Sequence, residues 1–229
     1  MKAIDRAIEE GKTNFLFIGG AGSGKSEIAV NYALYLKSRV KSEVHFFDMD
    51  MTKPLFRSRD VADILMAGGI KVHFQEQFMD APTTVGGGKK LLTDENAYVV
   101  LDIGGDHIGA RTLGTYREAI NEDSLVYYVV NAYRPWMDGP HDIDKTLGMI
   151  LHAAQLDVSE LHLISNPNMS CITTPAEVIE GYRKIDDIVS PYIKTDFIAV
   201  KESLYAAVVG LCDAEVFPIR LYQTYDWEK

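Results

Sequence analysis

Eight consecutive residues, Gly19-Gly20-Ala21-Gly22-Ser23-Gly24-Lys25-Ser26, combine chain-bending glycines with a lysine and a terminal hydroxyl. Their spacing fits GxxxxGK[ST], a loop whose backbone N–H groups curl around a β-phosphate. Each residue type then has a task. Lys25, read as an exposed charge at the loop end, reaches β- and γ-phosphate oxygens, and the Ser26 hydroxyl ligates Mg2+. An apolar run at 15–18 precedes the loop and an amphipathic stretch at 25–38 follows it, the strand-loop-helix context such a loop requires. The expected nucleotide contacts are Gly20, Ala21, Gly22, Ser23, Gly24, Lys25, Ser26 and the next residue, Glu27.

Two further apolar runs end in carboxylates. Tyr98-Val99-Val100-Leu101-Asp102-Ile103-Gly104-Gly105 reads as a Walker B strand running into a DxxG switch. In that pattern Asp102 holds Mg2+ through water and the Gly105 N–H senses a γ-phosphate. Phe46-Phe47-Asp48-Met49-Asp50-Met51-Thr52-Lys53-Pro54 puts two acids within one turn. Beside a triphosphate that is costly unless they face Mg2+ or a water, so one of them is a candidate to orient the attacking water.

Holding these groups together takes a sheet. Apolar runs at 15–18, 44–48, 72–74, 97–102, 125–131, 161–166, 196–200 and 219–222 alternate with stretches of helical period at 25–38, 57–67, 112–121, 142–155 and 175–189. The alternation predicts βαβ units and one α/β domain over 1–229, a three-layer α/β/α P-loop NTPase with a mostly parallel sheet of about seven or eight strands. The last helical stretch opens Thr174-Pro175-Ala176-Glu177, with proline in the first turn and a capping-box glutamate. Gly86-Gly87-Gly88-Lys89-Lys90 reads as a surface turn or as a mobile loop near phosphate.

Composition narrows the partners. With 23 basic against 33 acidic residues the net charge is −10, which repels phosphate backbones and anionic lipid, so neither nucleic acid nor a membrane is expected. No apolar run approaches the roughly 18 residues of a membrane span, and residues 1–12 lack the apolar core of a signal peptide. A cytoplasmic location is the expectation. Cys171 and Cys212 lie far apart with no CxC or CxxC spacing, and each is expected to be a small buried thiol.

The trio GGAGSGKS, DMDMTKP and VVLDIGGD resembles the SIMIBI class of P-loop proteins, and within it the ParA/MinD/CobQ-like nucleotide-binding proteins. The segments GSGKSEIAVNYALYL, PLFRSRD and VVLDIGGDHIGARTLG are similar to an ATP-binding subgroup of anaerobic bacteria. The resemblance implies that Asp50 positions the attacking water and that Asp48 lies near Mg2+. It also implies that the strand ending at Asn166 presents an adenine reader, with Asn131 a second candidate; either residue is equally an ordinary Asx turn. No NKxD follows any strand, which argues against guanine. Two features depart from the family. Gly20 stands where those proteins carry a signature lysine, so dimer-coupled hydrolysis does not carry over, and residues 218–229 form no basic membrane helix.

These readings give an Mg-ATP-binding ATPase, slow without a partner, that acts as a nucleotide-dependent switch or as an assembly or maturation factor for a partner protein or a homodimer. In the switch, the loops 48–60 and 102–117 respond to nucleotide state, with Arg57, Arg59 and Arg111 as basic groups near the γ-phosphate or the partner. The alternative is an ATP-dependent small-molecule enzyme, a kinase or a carboxylate-activating ligase of the dethiobiotin synthetase kind. A non-hydrolysing binding subunit is the third reading.

Overall fold

In the computed structural model, residues 2–49, 61–74, 88–105, 111, 113–135 and 139–222 are described. Runs rich in Val, Ile, Phe and Tyr favour extended backbone, because branched and aromatic side chains pack well on a pleated surface. They form β1 (Asn14–Ile18), β2 (Glu43–Met49), β3 (Lys71–Phe74), β4 (Ala97–Ile103), β5 (Ser124–Val130), β6 (Leu161–Ser165), β7 (Thr195–Lys201) and β8 (Glu215–Ile219). All neighbours pair parallel, in the order β3-β2-β4-β1-β5-β6-β7-β8, so β1 sits inside the sheet with β4 and β5 on either side.

Helices α1 (Lys2–Glu9), α2 (Lys25–Arg39), α3 (Ala62–Ala67), α4 (Gly88–Leu92), α5 (Pro140–Ala154), α6 (Pro175–Val189) and α7 (Tyr205–Val208) connect and cover these strands. Alternation along each strand divides the core into two layers. Leu16, Ile18, Phe47, Val99, Leu101 and Tyr128 pack with Ile143 and Ile150 of α5 and Ile185 of α6. Phe15, Phe17, Phe46, Val100, Tyr127 and Val129 pack with Ile4 of α1, Ile28, Tyr32 and Leu36 of α2, and Leu65 of α3. The second layer is aromatic at its centre, with the Tyr32 ring 4.9 Å from Phe15 and 5.2 Å from Phe17. Each fully buried side chain of this size contributes about 1.5–3 kcal/mol.

The capping box at Thr174 forms: Thr174 Oγ1 accepts from Glu177 N, and Glu177 Oε2 accepts from Thr174 N at 2.7 Å. Other stretches differ from expectation. The final strand ends at Ile219 instead of starting there, and Pro218 lies inside it. Proline is tolerated because β8 is an edge strand with no partner on one side to need its N–H. The stretch 112–121 is helical at 113–114 and then a 3-10 turn at Arg117–Ala119 rather than one long helix, and a helix starts at Gly88 where a turn was expected. Cys171 is exposed, on the 3-10 turn Ser170–Ile172, while Cys212 is half-buried, which pushes its thiol up from the ordinary value.

The last described residues close the structure against its beginning. Glu215 of β8 accepts from Lys2 N and Ala3 N at 2.7 and 2.8 Å, capping α1. Asn31 of α2 accepts from Arg220 N at 2.8 Å and donates to Arg220 O at 2.9 Å, and Glu27 accepts from Tyr222 N.

Candidate functional site

β1 ends at Ile18 and α2 begins at Lys25, so the eight-residue loop lies at the carboxyl edge of an interior strand, where open α/β sheets bind ligands. Gly24 is left-handed (φ 89°) and precedes the first turn of α2, whose free N–H groups and dipole favour an anion. Lys25, the first residue of α2, is fully buried, which corrects the expectation of an exposed loop-end charge. Ser23 and Ser26 are also buried, and their hydroxyls have no hydrogen-bond partner among the described residues. A buried Ser26 hydroxyl in this position fits an Mg2+ ligand.

The carboxylates come from two adjacent strands. Asp48 of β2 and Asp102 of β4 are register partners, both buried, and Asp102 in turn pairs with Phe17 of β1. By alternation they share the α2 side of the sheet with Phe46 and Val100, the side on which Lys25 and Ser26 begin their helix. Together with Ser26 this is an all-oxygen donor set suited to Mg2+. Gly105 presses on the loop itself. A Cβ there would lie 2.7 Å from Gly19 O and 3.0 Å from Ala21 N, so only glycine fits. Asp50, Arg57 and Arg59 lie outside the described residues, and Arg111 is exposed.

No protein-family model and no curated protein matches the chain. Among solved structures it is similar to the signal recognition particle receptor FtsY from Elizabethkingia anophelis in complex with GDP, with TM-score 0.56, 14% identity, and coverage of 83% of this chain and 57% of that one. The Thermotoga maritima cell division protein ftsY gives TM-score 0.53 at 14% identity, covering 87% and 69% of the two chains. The fold is that of the P-loop NTPases. Chloroplast FtsY from Physcomitrella patens agrees, with TM-score 0.51 at 14% identity over 88% and 67%. The chain thus spans little more than half the length of the Elizabethkingia protein.

The two asparagines expected to read the base both make hydrogen bonds within the chain. Asn131 is buried; its Oδ1 accepts from Tyr133 N at 3.0 Å, an Asx turn, and its Nδ2 donates to Asn168 O at 2.8 Å. Asn166 donates from Nδ2 to Ser23 O at 2.7 Å, and a Cβ on Gly24 would lie 2.1 Å from that nitrogen. Asn166 therefore braces the phosphate loop, and its buried Oδ1 has no partner among the described residues. Glu27 holds Tyr222 N, so its carboxylate supports the chain that follows β8 rather than standing open to a nucleotide. Nearby, a cleft of about 320 Å³ opens at the carboxyl edge, lined by Cys171, Lys201, Glu202, Ser203, Arg220 and Leu221 among others.

Sequence reasoning missed one contact to the loop. Arg134, on the turn after β5, donates from Nε to Gly22 O at 2.8 Å. The available signal was a basic residue in the segment leaving a strand beside β1, a position that no motif marks.

Proposed function

We propose that this chain binds Mg-ATP at loop 19–26 and works as a nucleotide-dependent switch with slow intrinsic hydrolysis. The observation that carries the reading is the gathering of Lys25, Ser26, Asp48 and Asp102 on one side of the sheet beneath a glycine loop at the end of β1. Lys25 supplies the charge facing the terminal phosphates, and the loop N–H groups supply directed donors. Ser26 and Asp102 are the residues that would hold Mg2+, with Asp48 beside them. The ion, when bound, neutralises charge that builds between the phosphates. Asp50, on the chain that leaves β2, is the residue proposed to orient water.

The preference for adenine rests on Asn166. Its Nδ2 is spent on Ser23 O, leaving Oδ1, an acceptor, and an acceptor suits the amino group of adenine rather than the carbonyl of guanine. The cleft lined by Lys201, Glu202 and Arg220 is the space proposed for the nucleoside. The switch is proposed to rest on Gly105, which lies so close to Gly19–Ala21 that a Cβ there would clash, and which would so tie the chain after β4 to the occupancy of the loop. A protein partner or a second copy of the chain is proposed to read that change, in a cytoplasmic setting.

Calorimetric titration with Mg-ATP, Mg-ADP and Mg-GDP tests the reading. Binding of both adenine nucleotides, with GDP weaker, is the expected result. Silence with all three would sink the phosphate-loop assignment, and tighter GDP binding would remove Asn166 from the base site.

A further inference from the structure

The turn after β5 holds a guanidinium against the phosphate loop, and it is built to hold it still. Arg134 N donates to Asn131 O at 3.1 Å, closing the turn. Asn131 ties the turn to the strand end of β6 through Asn168 N and O, at 3.4 and 2.8 Å. Tyr133 ties it to α6: its hydroxyl donates to Glu177 O at 2.5 Å, and its ring fills the space where a Cβ on Gly181 would fall, 2.8 Å from Cε2. Burial, then the charges of Glu180 and Glu177, push the Tyr133 phenol up from its ordinary value, so it stays a donor.

From this anchored turn Arg134 reaches Gly22. The Nε bond to Gly22 O is one contact; the guanidinium and Cδ also lie 3.4–3.8 Å from the place where a Gly22 Cβ would stand. Gly22 is left-handed at φ 73°, in the part of the loop whose amides turn toward a phosphate. A carbonyl held from outside by a charged donor leaves the neighbouring N–H groups free to face inward. Among the described residues no carboxylate pairs with Arg134.

We infer that Arg134 is a positioning residue for the phosphate loop, holding Gly22 in its phosphate-ready conformation for a nucleoside diphosphate or triphosphate. The inference rests on the nucleotide-binding reading above and deepens it. A loop with so many glycines loses much conformational freedom when it closes on a ligand, and a hydrogen bond already in place removes part of that loss. The bond acts on the diphosphate portion alone, so it makes no distinction between bases.

The test measures affinity for Mg-ADP and for inorganic diphosphate by calorimetry, in the wild-type chain, Arg134→Ala and Arg134→Lys, with thermal unfolding of each protein free of ligand. Arg134→Ala is expected to weaken both ligands by about tenfold, the effect of one charge-assisted hydrogen bond, with the ligand-free unfolding midpoint retained. Arg134→Lys keeps the charge without the Nε geometry and is expected to recover only part of the loss. Wild-type affinity in Arg134→Ala overturns the inference while leaving nucleotide binding intact. Full recovery in Arg134→Lys overturns the hydrogen-bond role, and a matching fall in the ligand-free midpoint assigns the effect to folding. No binding by the wild-type chain overturns both this inference and the reading beneath it.

Discussion

Asp48 and Asp102 stand opposite one another in the parallel ladder between β2 and β4, both buried and separated by a single strand spacing. Neighbouring strands lie about 4.8 Å apart, so two acids at one register position share one small volume. Such a pair is stable when a cation or directed donors face it.

Asp102 is expected to differ from Asp50 in mutants. Asp102→Asn should raise the Mg2+ concentration needed for half-maximal nucleotide binding by about tenfold or more, as loss of a group that orients metal ligands does. Asp50→Asn should lower kcat with little change in affinity, because it removes an interaction made mainly in the transition state. Phosphate release and binding of a non-hydrolysable ATP analogue, each across an Mg2+ titration, check both. Equal losses in the two variants at every Mg2+ level would show that the roles are not divided.

Lys25→Met is expected to abolish Mg-ADP binding while the protein still unfolds cooperatively. The buried position makes this sharper than for a surface lysine: methionine keeps most of the volume and removes a charge that is costly to desolvate. Calorimetry and thermal unfolding decide it. Retained affinity in a folded variant contradicts the assignment of Lys25 to the phosphates.

Gly105→Ala should damage both stability and binding. Its Cβ would meet backbone atoms of Gly19 and Ala21, which cannot move aside as a side chain can, and such overpacking costs about 1–3 kcal/mol. A lower unfolding midpoint together with weaker Mg-ATP binding is the expected pair of results. A variant with both unchanged would show that Gly105 does not report on the loop.

Stability should fall on mild acidification. His45 Nδ1 and His73 Nε2 lie 2.9 Å apart across β2 and β3, and His73 stacks on Phe47 at 4.3 Å. Burial holds both imidazoles below their ordinary value, as does the charge of Lys71, while Glu43 opposes the shift at His45. The folded state therefore refuses protons that the unfolded chain accepts. Stability is fully present above the unfolded value of about 6.5 and declines as pH falls through it toward the lower folded values. Unfolding midpoints between pH 7.5 and 5.5, compared with His73→Phe, measure this, and a variant with an equally steep decline would place the acid sensitivity elsewhere.

Much of the fold was legible because the strands of a parallel sheet, covered on both faces, read as nearly unbroken apolar runs, as at 97–102 and 161–166. The loop 19–26 was legible because its chemistry needs particular residues in a fixed order. Arg134 was not, since its role depends on the strand order that brings β5 beside β1. Helix α1 was missed because the segment was weighed only as a leader, and β8 was misplaced because Pro218 reads as a terminator unless the strand is known to be an edge. Asn166 was picked out as a strand-end amide, but only the packed loops show that its donor goes to Ser23.

Glu215 caps a helix that begins 213 residues earlier, and Asn31 brackets Arg220 across 189 residues. Contacts of such span form only after nearly all of the intervening chain exists. On the ribosome, therefore, α2 can emerge and the phosphate loop can be drawn into shape well before the strand that supports its helix has been made. The order of synthesis leaves the first helix and the far flank of α2 waiting on the last strand, and a nascent chain stalled before residue 215 would display the apolar sides of both to whatever chaperone is at hand.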